Sequence, residues 1–120
     1  MFKVIVAGSR SFNDFSFLVY KLDHVLQNYE QIEIVSGTAR GADQEGEKYA
    51  FLRNYPIKQF PANWDAHGNS AGYIRNEEMA KYADACVVFW DGKSRGTKHM
   101  INLAKKHNLK LKIYRFTPED

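Results

Sequence analysis

The stretch "VSGTARGADQEGEKYA", residues 35–50, runs from an apolar segment that predicts a β-strand into a segment that predicts a helix. Between them lie two glycines, a threonine, an arginine and an aspartate, within residues 37–43. Glycine lets backbone N–H groups approach a ligand closely, and a helix start carries partial positive charge. We therefore expect this turn to direct N–H groups outward, toward an anion. Asp43 is expected to cap the helix, with contact to a ribose hydroxyl as the alternative.

Segments that predict strands and helices alternate on both sides of this turn. Predicted helices run over about 15–26, 42–53, 71–82 and 97–107, the first with apolar residues at i, i+3, i+4 and i+7. Asn13 or Asp14 is expected to cap the first helix, and Asn69 or Ser70 the third. Residues 63–70 are expected to form a loop. The predicted strands are "FKVIVAG" (2–8), "QIEIVSG" (31–37), "IKQFPA" (57–62), "ACVVFW" (85–90) and "LKLKIYRF" (109–116).

This alternation predicts an α/β fold. The expected architecture is a single-domain Rossmann-like doubly wound parallel sheet of about five strands with helices on both faces. The domain is expected over 1–116, with a tail at 117–120. In such sheets, ligands bind outside the carboxyl ends of the strands, where the strand order reverses.

Composition limits the classes of function. Hydrophobic residues make up 44%, charged residues 26%, and the formal net charge is +3, a small excess that tolerates an anionic ligand. Cys86 is the single cysteine and is expected to be an inert core residue, so a cytoplasmic location is expected. The apolar run 4–7 is too short for a signal peptide, and we expect no membrane partner. No spacing of histidine, cysteine and carboxylate residues predicts a metal site.

Three predicted strand-to-helix loops combine glycine, hydroxyl and arginine residues. They are "GSRSF" (8–12), "SGTARGAD" (36–43) and "WDGKSRGT" (90–97). Arginine binds phosphate or carboxylate through a planar fork. Because these loops share one edge of the sheet, they predict one anion-binding site. Its candidate residues are Gly8, Ser9, Arg10, Ser36, Gly37, Thr38, Arg40, Gly41, Asp43, Gly92, Lys93, Ser94, Arg95, Gly96 and Thr97.

The fourth predicted helix strengthens this prediction. Its first turn holds Lys98 and His99, although cations are disfavoured at a helix start. An incoming anion would compensate, and the alternative is that these side chains simply extend into water. "DGKS" (91–94) is not a Walker loop, because Val87 occupies the position of the required first glycine. The glycine spacing does not match G-x-G-x-x-G either, and we expect no cofactor.

The segment "PANWDAHGNSAGYIRNEEMAKYADA" (61–85) supplies the remaining candidates. Trp64 there and Trp90 in the third loop are expected to stack on a base, with core packing as the alternative for Trp90. Arg75 and Asn76 are expected to reach the sheet edge. The candidate catalytic residues are Arg75, Glu78 and Asp43.

The segments "VIVAGSRSF", "VSGTARGAD", "AGYIRNEEMAKYAD" and "WDGKSRGTKHMI" together resemble the SLOG superfamily, and within it the YspA/cpYpsA-related branch. This superfamily includes the Lonely Guy phosphoribohydrolases, the DNA-processing protein DprA and nucleotide-sensor domains. The resemblance implies a Rossmann-like fold, a nucleotide-derived ligand and a homo-oligomer. It also implies that Gly96 and Thr97 hold the phosphate, that Gly37 and Gly41 form the family's glycine-rich turn, and that Arg75 is the family's arginine on the third helix.

One departure from the family pattern bears on catalysis. Lonely Guy enzymes carry P-G-G-x-G-T-x-x-E, and Met100 stands where their catalytic glutamate is expected. Glu77, Glu78 or Asp43 are the carboxylates left to replace it. Three hypotheses follow: a nucleotide-binding or sensor domain, which we prefer; an N-glycosidic or phosphoribosyl hydrolase; and a single-stranded DNA-binding protein, which the modest charge disfavours.

Overall fold

The computed structural model describes residues 1–118 as five strands and five helices. The strands are β1 (Phe2–Gly8), β2 (Ile32–Ser36), β3 (Ile57–Gln59), β4 (Ala85–Trp90) and β5 (Lys110–Arg115). The helices are α1 (Phe15–Leu26), α2 (Ala42–Arg53), α3 (Trp64–His67), α4 (Ala71–Tyr82) and α5 (Arg95–Lys106), with a 3-10 turn at Gly68–Ser70.

All five strands are parallel, in the order β3-β2-β1-β4-β5. The chain builds outward from β1 to β3 and then crosses back to place β4 on the other side of β1. In register, Val4 lies beside Ile34 of β2, and Val6 lies beside Val87 of β4. The strand order reverses between β1 and β4, which is where this fold places ligands. The predicted fold class is confirmed.

The central strands bury side chains on both faces, because successive side chains point to opposite sides of a sheet. One face packs against α1 and α2, and the other against α4 and α5. Cys86 of β4 is fully buried in the second layer, where burial raises the pKa of its thiol to about 12. The burial of Cys86 agrees with its predicted place in the core. The first layer includes Val4, Val6, Leu18, Leu22 and Tyr49, and the second includes Ile5, Ala7, Met79, Met100 and Ile101.

Several boundaries differ from the sequence prediction. The segment predicted as a loop contains α3, which is capped by the Asn63 side chain accepting from the Ala66 N–H at 3.1 Å. Ser70, one of the two predicted caps, occupies the N-cap position of α4, but its side chain makes no capping bond and a 3-10 turn leads directly into the helix. Asp14 does cap α1, accepting from the Phe17 N–H at 3.1 Å.

Three further observations concern the chain as a whole. No helix within residues 1–118 is long and apolar enough to cross a bilayer. In the same range, no group of three or more His, Cys, Asp or Glu side chains could hold a metal ion. Of the predicted tail, residues 117 and 118 are exposed and belong to no element, whereas 119 and 120 lie outside the described residues.

Candidate functional site

A cleft of about 460 Å³ opens at the carboxyl ends of β1 and β4, where the strand order reverses. Nine of the predicted site residues line it: Gly8, Ser9, Arg10, Asp43, Arg75, Asn76, Ser94, Gly96 and Thr97. Sequence reasoning missed the other lining residues, which are Ala7, Ser11, Met79, Asp91 and Met100. Ser11 and Asp91 had a signal, since both lie in loops already singled out. Met100 had one as well, since it stands where the family resemblance places a catalytic glutamate, whereas the helical position of Met79 indicates only burial.

Ser9, directly after β1, holds three loops together. It is 2% exposed, and its N–H donates to the Phe89 carbonyl at 2.9 Å. Its carbonyl accepts from Ala42 at the start of α2 at 3.3 Å, and its Oγ accepts from the Asp91 N–H at 3.1 Å. The starts of α2 and α5 are therefore held at a fixed spacing on either side of the cleft.

The loop between β4 and α5 presents a helix start to the cleft. Ser94 caps α5, its Oγ accepting from the Thr97 N–H at 3.4 Å and from the Thr97 hydroxyl at 2.9 Å. The Asp91 carboxylate accepts from the N–H groups of Lys93 and Ser94, both at 2.8 Å. Burial raises the pKa of Asp91, but these hydrogen bonds outweigh burial and the pKa is lowered overall. Asp91 is thus an ionised carboxylate that orders the loop.

The side chains in the first turn of α5 do not complement the positive end of the helix dipole. It contains no acidic residue, and Arg95 and Lys98 are both exposed cations there. Helix starts leave their first N–H groups without an intrahelical partner, here those of Arg95 and Gly96. This end of α5 can attract an anion.

Trp90 supports this loop from outside the cleft. Its Nε1 donates to the Ser94 carbonyl at 3.2 Å. The Lys98 ammonium and the Arg115 guanidinium lie 5.5 and 5.3 Å from its ring centroid. Trp90 is not among the residues that line the cleft, and its contacts are those of a brace for the α5 loop.

The turn between β2 and α2 uses two of its N–H groups internally, those of Thr38 and Ala39, so these two do not face an anion as expected. Thr38, at φ 66, donates its N–H to Ser36 Oγ at 3.1 Å. The Ala39 N–H donates to Asp43 Oδ2 at 3.2 Å. Gly41 has φ 80 and packs against the backbone of residues 9 and 10, an approach that any side chain would block.

Asp43 is not the cap of α2, which corrects the sequence prediction. The N-cap position is Gly41, and Asp43 lies within the first turn at 6% exposure. Burial raises the pKa of Asp43 to about 6, although the Ala39 hydrogen bond and the charges of Arg75 and Arg10 act against burial. Asp43 is therefore a buried carboxyl group in the cleft that titrates close to neutral pH.

Arg75 of α4 lies across Gly37 from Asp43. A Cβ on Gly37 would be 2.8 Å from both Arg75 Nη1 and Asp43 Oδ2, so only glycine leaves room for the two groups. Arg75 donates through Nη1 to the Gly37 carbonyl and through Nε to Asn76 Oδ1 at 3.0 Å. Burial lowers the pKa of Arg75, but the guanidinium remains cationic at neutral pH.

Asn76 connects Arg75 to α5. It is 7% exposed, and its Nδ2 lies 3.2 Å from His99 Nδ1 and 3.4 Å from the Gly96 carbonyl. Burial lowers the pKa of His99, with Glu77 opposing it, which favours a neutral ring that accepts from Asn76. Asn76 lines the cleft, so its contact with a ligand stays a prediction, and its bonds to Arg75 and α5 add a positioning contact that sequence reasoning missed.

The remaining predicted residues do not line the cleft. Glu78 is exposed, and Glu77 pairs with His107 at 3.3 Å and Lys81 at 3.8 Å. Trp64 is 52% exposed on α3. A Cβ on Gly72 would be 3.6 Å from both Trp64 Cη2 and Arg75 Nη2, so Trp64 is near the edge of the site. The other predicted residues outside the lining are Ser36, Gly37, Thr38, Arg40, Gly41, Gly92, Lys93 and Arg95.

Two comparisons of the sequence with known proteins identify the family of this chain. The family model of the YspA, cpYpsA-related SLOG family matches residues 2–67. The chain is 34% identical over 113 residues to the Gene 61 protein of Mycobacterium phage D29, which covers 88% of this chain and 90% of that protein.

A solved structure shares the fold. The single-stranded DNA-binding DNA processing protein A from Helicobacter pylori superimposes with a TM-score of 0.69 at 19% identity. The match covers 93% of this chain and 64% of that chain, so this protein spans less than two thirds of that relative's length. At this identity the likeness concerns the fold alone. The family match and the phage relative together show that the chain belongs to the YspA/cpYpsA-related SLOG family.

Proposed function

We propose that this protein binds a nucleotide or a nucleotide-derived small molecule in the cleft, with a phosphate group at the start of α5. One observation carries the proposal: the first turn of α5 holds the cations Arg95 and Lys98 and no acidic residue, beside the point where the strand order reverses. Cations at a helix start cost about 0.3–1 kcal/mol each at the surface, and a bound anion offsets that cost.

Two further features support the proposal. Arg10 and Arg75 both line the cleft, and guanidinium groups bind phosphate through charge-assisted hydrogen bonds. The cleft volume of about 460 Å³ falls within the range of small-molecule sites. The ligand therefore has the size of a nucleotide or of part of one.

A thermal-melt panel tests the proposal. It contains nucleoside mono- and diphosphates, NAD, ADP-ribose and inorganic phosphate. A ligand present at about a hundred times its Kd stabilises by about 2.7 kcal/mol, which raises Tm by several degrees. Arg10→Ala should weaken binding about tenfold, equivalent to about 1.4 kcal/mol. Lys105→Ala is the matched control, because it removes the same charge at the other end of α5. If no member of the panel raises Tm, the proposal is contradicted.

Hydrolysis of an N-glycosidic or phosphoribosyl bond is a second candidate, favoured by Asp43. An acid–base group works best with a pKa near the working pH, and the pKa of Asp43 is about 6. Met100 provides no carboxylate. Chromatography of nucleoside monophosphates incubated with the protein tests this candidate. Release of free base that Asp43→Asn abolishes supports hydrolysis; no free base at high protein concentration leaves binding alone.

Single-stranded DNA is a third candidate ligand. The fold shared with DNA processing protein A and the exposed cations Lys93, Arg95 and Lys98 favour it. A gel shift that weakens steeply with added salt supports DNA binding, and no shift at low salt removes it. The homo-oligomer implied by the family resemblance stays a prediction, which light scattering measures directly.

A further inference from the structure

An apolar patch lies on the outer side of α2 and β3, and it consists of Phe51, Leu52 and Ile57. These side chains are 85%, 50% and 39% exposed, and they line one shallow hollow together. None of the three lines the cleft. Single exposed apolar residues are ordinary, but a cluster of large ones marks a surface that another molecule covers.

The core does not need this patch. Phe51 and Leu52 each follow a fully buried residue of α2, Tyr49 and Ala50, by two positions. Two positions turn the direction of a side chain by about 200° around a helix, so Phe51 and Leu52 point away from the sheet. Replacing Phe51 by a polar residue should therefore leave the fold intact.

The shape of the patch is complementary to itself. Phe51 and Ile57 line two shallow hollows, one of about 600 Å³ and one of about 450 Å³. Phe15 and Leu52 belong to the first hollow, and Tyr55 belongs to the second. The surface thus presents a protruding ring together with hollows that a second such ring can enter. A two-fold interface requires this property, because the same surface is used by both copies.

The charges along α2 are complementary to themselves as well. Its first turn is acidic and its last turn is basic, and Glu45 and Arg53 lie four residues before and after Tyr49. Two antiparallel α2 helices that cross near Tyr49 therefore place Glu45 of each copy level with Arg53 of the other. The charged residues of α2 beside the patch carry no net charge, so two copies do not repel each other there; they are Glu45, Glu47, Lys48 and Arg53.

We propose that the patch is a two-fold interface between two copies of this chain, in which α2 packs antiparallel on α2 and Phe51 of each copy enters a hollow of the other. The three apolar side chains expose roughly 350 Å² per copy, judged from the size of aromatic and aliphatic side chains. A stable interface buries about 800 Å² per partner, so the patch supplies its apolar centre and the surrounding residues supply the rest. The proposal goes beyond the proposed function, because it does not depend on any ligand.

Sedimentation equilibrium over a protein concentration series from about 1 to about 200 µM tests the interface. The mass of the wild type should rise from that of one chain toward that of two. Phe51→Glu should weaken association at least about a hundredfold, because it places two charges at the apolar centre. Tyr20→Glu is the matched control, since Tyr20 is a 69% exposed aromatic residue on α1 that lines neither hollow. Both variants should keep the wild-type Tm.

Charge reversal tests the antiparallel arrangement. Glu45→Lys and Arg53→Glu should each weaken self-association about tenfold, because each makes both symmetry-related contacts repulsive. Mixing the two variants should restore association, because each contact between the two different chains again joins opposite charges. Thermal unfolding of each variant by itself shows whether it is folded.

Each outcome supports or overturns the proposal. A chain that stays monomeric over the whole series overturns it, and so does a dimer that Phe51→Glu leaves intact or that Tyr20→Glu weakens as much. If Phe51→Glu abolishes the dimer but mixing the charge variants restores nothing, the antiparallel arrangement is overturned. The nucleotide panel measures binding in the cleft separately, so failure of the interface and failure of the proposed function are distinguishable.

Discussion

The helices α2 and α5 begin at the same edge of the sheet, yet their first turns are opposite in charge. Asp43 and Glu45 lie in the first turn of α2, where carboxylates complement the helix dipole. The first turn of α5 has no acidic residue and carries Arg95 and Lys98. The start of α2 is also packed against the loop after β1, with the Ala42 N–H bonded to the Ser9 carbonyl at 3.3 Å.

Because of this difference, the two helix starts contribute different groups to the cleft. The start of α5 is open to an anion because its own residues leave the dipole uncompensated. The start of α2 is already complemented, and it contributes a buried carboxylate that accepts hydrogen bonds. Two glycine-containing loops of similar sequence thus perform opposite electrostatic roles.

Replacement of glycine at the two helix starts should give the largest contrast. Gly41→Ala should lower the free energy of unfolding by about 3–4 kcal/mol, because φ is 80 and the new Cβ would lie 2.7 Å from Arg10 Cα. Gly96→Ala is the matched change in α5, where a Cβ meets nothing within 4 Å, and it should stabilise by up to about 1 kcal/mol. Urea unfolding measures both, and equal effects would contradict the contrast.

Removal of the Asp43 charge should stabilise the protein at neutral pH. The pKa of Asp43 rises from 3.8 to about 6 on folding, so the folded state binds more protons between these values. Wild-type stability therefore falls as pH rises through this window, by about 2–3 kcal/mol at about 1.4 kcal/mol per pKa unit. Asp43→Asn, whose amide oxygen still accepts from Ala39, should be more stable than wild type above pH 7.

The pH dependence of the stability difference between wild type and Asp43→Asn provides an internal control. Well below 3.8, at about pH 2.5, where Asp43 is protonated in both states, the gain should vanish. Thermal unfolding of both proteins at about pH 2.5 and about pH 8 tests this. A gain that is equal at both values would show that Asp43 ionisation is not its source.

Loss of the α5 cap should have an intermediate effect. Ser94→Ala removes the Oγ that accepts from Thr97 and should lower stability by about 1 kcal/mol. It should also weaken phosphate binding, because the α5 loop is no longer held. Denaturant unfolding and the ligand melt measure the two effects, and unchanged phosphate binding would limit Ser94 to a structural role.

An acidic residue in the first turn of α5 should give the smallest change in stability. Arg95→Glu should raise the free energy of unfolding of the unliganded protein by about 0.5 kcal/mol, since it complements the dipole as Asp43 does in α2. The same change should weaken phosphate binding and reduce its salt dependence. Tighter phosphate binding by Arg95→Glu would contradict the assignment of the anion site to α5.

The sequence predicted the fold because burial is encoded in local periodicity. Neighbouring residues alone are enough to recognise the apolar runs at β1 and β4. The same is true of the helical spacing from Phe15 to Leu26. The alternating order of strands and helices then brings the three loops to one edge of the sheet. The position of the cleft and seven of its lining residues followed from that order, whereas Arg75 and Asn76 were predicted from the segment 61–85.

Only the tertiary structure decided which groups of those loops face the cleft. The N–H of Ala39 is used by Asp43, the N–H of Ala42 is used by Ser9, and the Gly37 carbonyl is bonded to Arg75 on α4. Contacts between distant segments also decided the role of Trp90, which supports the α5 loop, because Lys98 and Arg115 lie over its ring. A sequence pattern states which residues are buried, but hydrogen bonds between distant segments depend on how those segments pack, and this packing assigned the carboxylate of Asp43 to the cleft.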